Sequence, residues 1–513
     1  MNDRVFSFSI MVVESIVEAS QLVFTPTNIL MIFLGIMLGT VVGSIPGFTG
    51  SNAVAIALPF TLVLEPVNAL VFMICVYGGA QYGSAIPAIL MNTPGTAGAA
   101  ATCLDGYPMA KQGKADLALG ISIMGSVIGG LAAGTIVFLM LPTIGQFAFQ
   151  FANPEIFLVT LLAMVMIAVA IGDDLAKGLV AVMLGILIAA MPLDPLTGQS
   201  RLDFGFYELY DAVPFIPIVI GLFAIAELYY LTRQDKISTA DVEIGSYAKV
   251  IEGFKYVLVR PFQVVRATFL GLVLGSLPGA GASFANFVAW IVAKNGSDDP
   301  DSFSEGNPDG VIAAETSNNA VSGGALVPTL SLGIPGNSTT AVMLAALYLQ
   351  GIQPGPNLLR NFAVEIDALL LSLILGQFVL LVFAFIASKY IVQVVTTPTQ
   401  YLIPGIMVIT AMGAFAMRGL VFDIYLMVLF GFIAIMMIEH GYPVVPVLIG
   451  VIIGPIAENA FRRSMALSGN DPAILFGSRI TQVLWVLIVF TILWQPIKWH
   501  LKSNTNLGKR LPF

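Results

Sequence analysis

Residues 43–47 read Gly-Ser-Ile-Pro-Gly and residues 275–279 read Gly-Ser-Leu-Pro-Gly, in each case at the end of an apolar segment. A Pro-Gly pair removes one backbone donor and permits unusual dihedral angles, so it breaks a helix. The break frees polar main-chain groups, which lipid cannot satisfy but protein or a water-filled cavity can. The two motifs therefore predict helices that are interrupted inside a membrane-embedded protein.

The composition places the chain in the membrane class. Of its 513 residues 57% are hydrophobic and only 10% are charged, and the mean hydropathy is +0.91. A soluble domain carries roughly a quarter of its residues as charged side chains. Apolar segments near the roughly 20-residue length of a bilayer crossing recur along the chain. We expect an all-α polytopic protein surrounded by membrane lipid, with about 12 membrane elements, some of them re-entrant.

Two further landmarks recur in the same order as the first. The matched ranges are 43–47 with 275–279 at an offset of 232, 87–95 with 328–336 at 241, and 213–217 with 442–446 at 229. Paired interruptions of this kind occur in transporters built from two repeats, whose substrate site lies between the repeats near the bilayer midplane. We therefore expect two internal repeats, inverted relative to each other, each with broken or re-entrant helices.

This interpretation divides the chain into five segments. They are an N-terminal interfacial segment (1–27), a first repeat (28–231), a hydrophilic connector (232–266), a second repeat (267–460), and a final span with a C-terminal tail (461–513). The connector carries six Lys and Arg residues. The excess of Lys and Arg on cytoplasmic loops predicts that it lies in the cytoplasm.

Neutral hydrogen-bonding side chains flank the predicted breaks. Half-helix N-termini offer unpaired amides and a positive dipole end, which suit a carboxylate, and the flanking stretches contain no Lys or Arg. An anion would therefore be held by amides, hydroxyls, helix dipoles and a co-bound cation. The alternative is that these small residues mediate helix packing. The predicted substrate-binding residues are Gly47, Thr49, Ser51, Asn52, Asn92, Thr93, Gly95, Thr96, Ser283, Asn286, Asn318, Asn319, Gly336, Asn337, Ser338 and Thr339.

Ionisable residues inside membrane segments are candidates for function because burying a charge there is costly. Glu315 and Asp105 lie closest to the breaks, and either is a candidate for binding a sodium ion or a proton as the coupling ion. Asn92 and Asn337 are candidates for the same role through their side-chain oxygens. Helix capping or pairing with a loop lysine is the alternative for both acids.

The sequence shows few of the catalytic or metal-binding residues that an enzyme would need. Cys75 and Cys103 sit in or beside apolar segments as packing residues do, and His440 and His500 are isolated. We expect no structural metal and no cofactor besides the coupling ion. A membrane-embedded hydrolase would need a nucleophile with a base or a metal-binding motif, which these histidines do not supply. A passive organic-anion channel remains the other alternative, and the formal charge of -8 predicts no nucleic-acid partner.

At these motifs the chain resembles the large membrane subunit of the tripartite tricarboxylate transporters. The resemblance extends from about residue 28 to 495. Four stretches carry it: GSIPGFTGSNAVAIALPFT from Gly43, YGGAQYGSAIPAILMNTPGTAGAAATCLDGYPMAKQGKADLAL from Tyr77, GSLPGAGASFANFVAW from Gly275, and GVIAAETSNNAVSGGALVPTLSLGIPGNSTTAVMLAALYLQGIQPGP from Gly310.

The resemblance implies a secondary transporter of the bacterial inner membrane. It implies two partners, a small membrane subunit of about four spans and a periplasmic binding protein that delivers an organic acid such as citrate or a dicarboxylate. Uptake would be symport driven by a cation gradient, commonly sodium. The chain has no Gly-x-x-x-x-Gly-Lys-Ser/Thr loop for nucleotide phosphates, in agreement with that energy source.

Overall fold

The structure, a computed structural model, describes residues 14–148, 151–171, 175–191, 199, 201–202, 204–209, 213–233, 245–278, 281–355, 358–390 and 399–504. Within these ranges the regular elements are helical and none is a strand. Four of the sequence predictions fall partly outside them, namely the N-terminal segment at 1–13, the connector at 234–244, Gly279 of the second Pro-Gly motif, and the C-terminal tail at 505–513.

Ten helices lie among the described residues of the first half of the chain. They are α1 at residues 14–23, α2 (Pro26–Gly43), α3 (Gly50–Ala57), α4 (Pro66–Gly83), α5 (Ala85–Met91), α6 (Ala100–Lys111), α7 (Ala115–Ala148), α8 (Asn153–Ile171), α9 (Leu175–Ala189) and α10 (Phe215–Thr232). Within α10, Ile220–Ile225 is a π-helical segment.

Ten more lie in the described part of the second half. They are α11 (Tyr247–Leu258), α12 (Pro261–Gly275), α13 (Gly281–Asn295), α14 (Pro308–Leu332), α15 (Ser338–Leu349), α16 (Ala363–Ala387), α17 (Thr399–Ala416), α18 (Val421–Glu439), α19 (Val445–Leu467) and α20 (Arg479–Asn504). Short 3-10 turns and the four-residue helix Leu358–Asn361 connect them.

Seven of the described helices are long and apolar enough to cross a bilayer, with Pro66–Met91 counted as one of them. An eighth is added if the pair α11 and α12, which meet at an angle of 79°, is one bent span. Proline at 261 explains the bend, because it cannot continue the preceding helix. The multi-pass all-α class is thereby confirmed, whereas the count of about 12 elements and the inverted relation of the repeats stay predictions.

Helix α14 runs through a polar stretch of the sequence. Pro308–Leu332 is one continuous helix of 25 residues. Hydropathy misses it because its middle reads Glu-Thr-Ser-Asn-Asn at residues 315–319. These five residues are all buried, so protein and not lipid surrounds them. A helix lined by protein does not need an apolar surface.

Glycines bring helix backbones into contact in a matching way in the two halves. A Cβ on Gly39 of α2 would lie 2.2 Å from the Val76 carbonyl oxygen of α4. In the second half, a Cβ on Gly271 of α12 would lie 2.5 Å from the Ser317 carbonyl oxygen of α14. Small residues permit this close approach, which is how membrane helices associate without a hydrophobic driving force between them.

The helices of the two halves also end at matching motif residues. Helices α2 and α12 both end at the first glycine of their Pro-Gly motifs, Gly43 and Gly275. After α5 and α14 the C-cap residues are Asn92, with φ 54°, and Gly333, with φ 72°. Both are left-handed, and each precedes a second Pro-Gly pair, which cannot continue the helix. The predicted interruptions are therefore present as breaks.

The residues group into two compact units. Unit 1 comprises Met1–Ala148 and Pro214–Ile435, and unit 2 comprises Phe149–Val213 and Met436–Phe513. Within unit 2, glycines of α9 and α19 permit backbone contact, with Gly185 against the Val447 carbonyl and Gly450 against that of Val182. This grouping follows packing and not sequence similarity, so the five predicted segment boundaries stay predictions. The predicted site residues all belong to unit 1.

Candidate functional site

The first turns of α3 and α15 lie side by side, although these helices begin far apart in the sequence, at Gly50 and Ser338. A Cβ on Gly50 would be 2.8 Å from Thr339 Oγ1 and 3.4 Å from Gln81 Oε1. The amides of a first helical turn have no intrahelical partner. Two sets of such amides, from different halves of the chain, therefore meet at this point.

Three polar residues at the start of α3 form a local hydrogen-bond network. Thr49 is the N-cap residue and its Oγ1 accepts a hydrogen bond from the Asn52 amide at 3.4 Å. The Thr49 hydroxyl donates to Asn52 Oδ1 at 2.5 Å and lies 2.7 Å from Ser51 Oγ. Asn52 is only 3% exposed, and its Nδ2 has no hydrogen-bond partner among the described residues.

Helix α15 begins with a capping box. The Thr340 amide donates to Asn337 Oδ1 at 2.9 Å, and the Asn337 amide donates to Thr340 Oγ1 at 3.0 Å. Asn337 Nδ2 donates to the Tyr77 hydroxyl on α4 at 2.8 Å. We call Thr49, Ser51, Asn52, Asn337 and Thr339 the α3–α15 cluster. It provides hydroxyls, side-chain amide groups and helix N-termini, which together suit an anionic oxygen.

A second group of polar residues lies between α13 and α14. Asn286 Nδ2 donates to Asn318 Oδ1 at 2.9 Å and to the Gly98 carbonyl at 3.0 Å. Asn286 and Asn318 are fully buried, and Asn286 Oδ1 has no partner among the described residues. A Cβ on Gly98 would lie 2.8 Å from Asn318 Oδ1, so the loop backbone touches both asparagines. We call Gly98, Asn286 and Asn318 the α13–α14 cluster.

Gln81 of α4 joins the two clusters. Its Nε2 donates to the Asn318 carbonyl at 3.4 Å, and Asn318 Nδ2 donates to the Gln81 carbonyl at 3.1 Å. Because Gln81 Oε1 also lies near Gly50, one side chain contacts residues of both clusters. Asn319, which follows Asn318 in the sequence, is also buried, and its Oδ1 has no hydrogen-bond partner in the described part of the chain.

Several predicted residues take other roles after the α5 break. Asn92 is exposed and serves as a left-handed C-cap, and the Thr93 hydroxyl donates to the Met91 carbonyl. A Cβ on Gly95 would lie 2.8 Å from the Gly43 carbonyl oxygen, so this glycine permits packing. Thr96 donates to Ser84 Oγ at 3.2 Å.

The remaining predicted residues fall near the clusters without joining their hydrogen bonds. Gly47, with φ 86°, provides the turn before Thr49. A Cβ on Gly336 would lie 2.6 Å from Ala325 Cα, which makes it a packing glycine. Ser283 and Ser338 are half-buried in the first turns of α13 and α15. All sixteen substrate-site assignments stay predictions, and the clusters show which of them the fold brings together.

Asp105 anchors a loop. Its Oδ1 accepts backbone hydrogen bonds from Ser304, Gly306 and Asn307 at 2.8–3.1 Å. Its Oδ2 accepts from Trp290 Nε1 at 2.7 Å. Four donors already satisfy this buried carboxylate, so it holds α6 against the segment that leads into α14.

Glu315 is fully buried on α14 and its carboxylate is surrounded by hydroxyls. Thr102 of α6 donates to Oε1, and Ser122 and Ser126 of α7 donate to Oε2 at 3.3 and 3.1 Å. Glu315 forms no ion pair with a described Lys, Arg or His. Its environment therefore differs from that of Asp105, although both acids are candidates for the same role by their positions in the sequence.

The charge near the α3–α15 cluster is negative. Glu227 on α10 is half-buried and its carboxylate lies beside the Asn52 side chain. A bound carboxylate at the cluster would therefore have a like charge nearby. A cation in the same region would offset that repulsion.

Sequence reasoning missed Tyr77 and Gln81 as site residues. They are separated by four positions on α4, so they share one helix face, and both are buried in an otherwise apolar segment. That spacing was a usable signal. The hydroxyl partners of Glu315, Thr102, Ser122 and Ser126, could not be found in this way because only the tertiary fold brings α6, α7 and α14 together.

Comparisons with known proteins agree with these observations. The model of the Tripartite tricarboxylate transporter TctA family matches residues 29–449. An uncharacterized 52.8 kDa protein in the TAR-I ttuC' 3' region of Agrobacterium vitis is 34% identical over 467 residues, which is 90% of this chain and 91% of that protein. A second uncharacterized protein, in the TAR-II ttuC' 3' region of the same organism, is 31% identical over 214 residues, which is 42% of this chain and 88% of that protein.

The family match covers most of the chain and includes all four stretches that carry the resemblance. The predicted family is thereby confirmed, and with it the prediction that the chain is not an enzyme. The chain belongs to the Tripartite tricarboxylate transporter TctA family, as the large multi-pass membrane subunit of a tripartite transporter.

Proposed function

We propose that the protein takes up a tricarboxylate or dicarboxylate, such as citrate, in symport with sodium. The observation that carries this proposal is the α3–α15 cluster, where two helix N-termini from different halves meet at Gly50 and Thr339. Such termini favour anionic oxygens through their free amides and their dipoles. The buried side-chain amide of Asn52, which also lies beside Glu227, adds a donor at the same place.

The two clusters suit a ligand with more than one carboxylate. Gln81 contacts both of them through hydrogen bonds and close approach. One carboxylate at the α3–α15 cluster and a second polar group at the α13–α14 cluster would engage both halves of the chain at once. This arrangement supports a polycarboxylate over a monocarboxylate, because a single carboxylate would leave one cluster without a partner.

Coupling to sodium follows from the charge balance. The site stretches contain no Lys or Arg, and Glu227 lies beside Asn52. Bringing a polyanion into this environment requires neutralising charge. A cation that moves down its gradient provides this neutralising charge and drives uptake at the same time. Coupling to such a gradient distinguishes a symporter from a passive channel.

For the transport cycle we propose alternating access with an elevator-like movement. The candidate site is built entirely from residues of unit 1. A site contained within one compact unit can be carried across the membrane without being dismantled. We further propose the bacterial inner membrane as its location, with a partner membrane subunit of about four spans and a periplasmic binding protein that delivers the substrate.

Reconstitution into liposomes tests this function. The purified protein, with its small membrane subunit and binding protein, should accumulate labelled citrate or a dicarboxylate above the external concentration when an inward sodium gradient is imposed. An equal gradient of choline should give no accumulation. Equilibration without accumulation would show a passive channel, and uptake indifferent to both sodium and binding protein would contradict the proposal.

A further inference from the structure

We propose that Glu315, Thr102, Ser122 and Ser126 bind the sodium ion that drives transport, at a site separate from the two substrate clusters. The proposal rests on the proposed function for the role of the ion, but the binding site itself can be tested without substrate. We call these four residues the Glu315 site.

The first argument is electrostatic. Glu315 is 0% exposed and no described Lys, Arg or His pairs with it. A buried carboxylate without a cation is costly inside a membrane protein. The charge of Glu315 acts on two nearby side chains, Tyr82 of α4 and Cys103 of α6. Neither is cationic, so neither offsets its charge.

The second argument is the ligand set. Two carboxylate oxygens and three hydroxyl oxygens converge from α14, α6 and α7. Hard cations prefer oxygen ligands of this kind. Each hydroxyl that donates to the carboxylate keeps lone pairs with which it can coordinate a cation. In the described residues, no group of three or more His, Cys, Asp and Glu forms a site for a multivalent metal. One negative charge with neutral oxygens matches a monovalent ion.

The third argument is the helix packing that builds the site. Ser122 and Ser126 are one turn apart on α7, and Gly125 and Gly129 lie on the side of α7 that meets α14. A Cβ on Gly129 would lie 2.2 Å from the Thr316 carbonyl oxygen. The backbones of α7 and α14 therefore touch next to Glu315, which fixes both serine hydroxyls against its carboxylate.

The position of Glu315 explains how the ion could influence substrate binding. It lies one helical turn before Asn318, the residue that connects the α13–α14 cluster to Gln81. A change in the packing of α14 on α7 would move Asn318 as well. Glu227 is the competing candidate, but it is half-buried, and the described residues form no comparable set of hydroxyl hydrogen bonds to it.

Sodium binding should be measured with the purified protein in detergent. The melting temperature is followed as NaCl replaces choline chloride at constant ionic strength, without substrate. A ligand that binds only the folded state raises the melting temperature with concentration. The wild type should show a saturable increase, and Glu315→Gln should show none. Ser126→Ala should need about tenfold more sodium, because it loses one oxygen ligand.

Ser372→Ala is the matched control, since Ser372 is also buried in unit 1 and its hydroxyl has no partner among the described residues. It should respond to sodium as the wild type does. If Glu315→Gln does not fold, the sodium response of Ser126→Ala and Ser122→Ala decides the question. A full sodium response of the melting temperature in Glu315→Gln would overturn the proposal. So would a sodium response that is lost only in Glu227→Gln, or a wild type that does not respond to sodium.

A transport measurement separates this proposal from the proposed function. Ser372→Ala should accumulate labelled citrate in liposomes under a sodium gradient as the wild type does, whereas Glu315→Gln should fail to accumulate it. Sodium-driven accumulation by this variant would place the coupling ion elsewhere. If the wild type binds sodium at Glu315 but carries no carboxylate, the proposed function fails while the Glu315 site stands.

Discussion

The substitution Asn337→Asp tests whether a carboxylate binds at the α3–α15 cluster. Aspartate is as good an N-cap as asparagine, so its oxygen can still accept the Thr340 amide, which is 2.9 Å from Asn337 Oδ1. A negative charge at a helix N-terminus is also favoured by the dipole. The variant should therefore fold normally while placing a fixed charge beside the amides of Ser338 and Thr339.

The expected loss of affinity follows from Coulomb's law. A substrate carboxylate held by those amides would lie about 5 Å from the new charge, which gives a repulsion of about 3 kcal/mol at an effective dielectric constant of about 20. Citrate affinity should therefore fall about 100-fold. The neutral cap variant Asn337→Ser loses only the bond to Tyr77, which is 2.8 Å long. Its citrate affinity should fall at most about fivefold.

Equilibrium binding of labelled citrate to the purified protein, in the presence of sodium, measures both variants. Melting temperatures serve as the folding control. The comparison of Asp with Ser isolates the charge, because both residues cap the helix. If the two variants bind citrate and a dicarboxylate equally well, no carboxylate sits at the start of α15 and the site assignment is refuted.

Three further predictions concern packing and the buried acid. Gly50→Ala should weaken citrate binding, since its methyl would lie 2.8 Å from Thr339 Oγ1. Thr339→Ala removes that atom, so a double-mutant cycle should show coupling of about 1 kcal/mol. Gly129→Ala should destabilise the protein by about 2 kcal/mol by overpacking against a carbonyl, whereas Gly405→Ala, with nothing within 4 Å, should stabilise it by about 0.5 kcal/mol. Asp105→Asn should destabilise by about 3 kcal/mol but keep the sodium response of the melting temperature.

Each of these three predictions has a result that would contradict it. Additive effects of the substitutions at positions 50 and 339 would indicate that the two helix N-termini are not in contact in solution. Equal melting temperatures for the two glycine variants would contradict the close packing of α7 on α14. Loss of the sodium response in Asp105→Asn would transfer the coupling role to Asp105, where the sequence had also placed it.

The sequence predicted the fold class and the places where helices break because both depend on local chemistry. Pro-Gly pairs follow the ends of α2 and α12, and they break a helix whatever its tertiary neighbours are. The left-handed residues Asn92 and Gly333 are each followed by a second Pro-Gly pair. The long helix α14 was not predicted, because burial by neighbouring helices, and not its own hydropathy, decides whether a polar segment can lie inside a membrane protein.

Local chemistry does not determine which distant residues contact each other in the fold. The sequence grouped polar residues by break, but the fold places the start of α3 beside the start of α15 and leaves Asn92 exposed. Asp105 and Glu315 are both buried acids close to the breaks in sequence. Only their tertiary neighbours, four amide or indole donors in one case and three hydroxyls in the other, distinguish an anchor from a cation ligand.

A structure determined by electron cryomicroscopy with saturating citrate and sodium tests the central claim most directly. The account predicts one citrate carboxylate within hydrogen-bonding distance of the Ser51 and Thr339 amides, and a second polar group of citrate near Asn286 and Asn318. Citrate bound elsewhere in unit 1 or in unit 2, with the two helix N-termini contacting only protein, would contradict it.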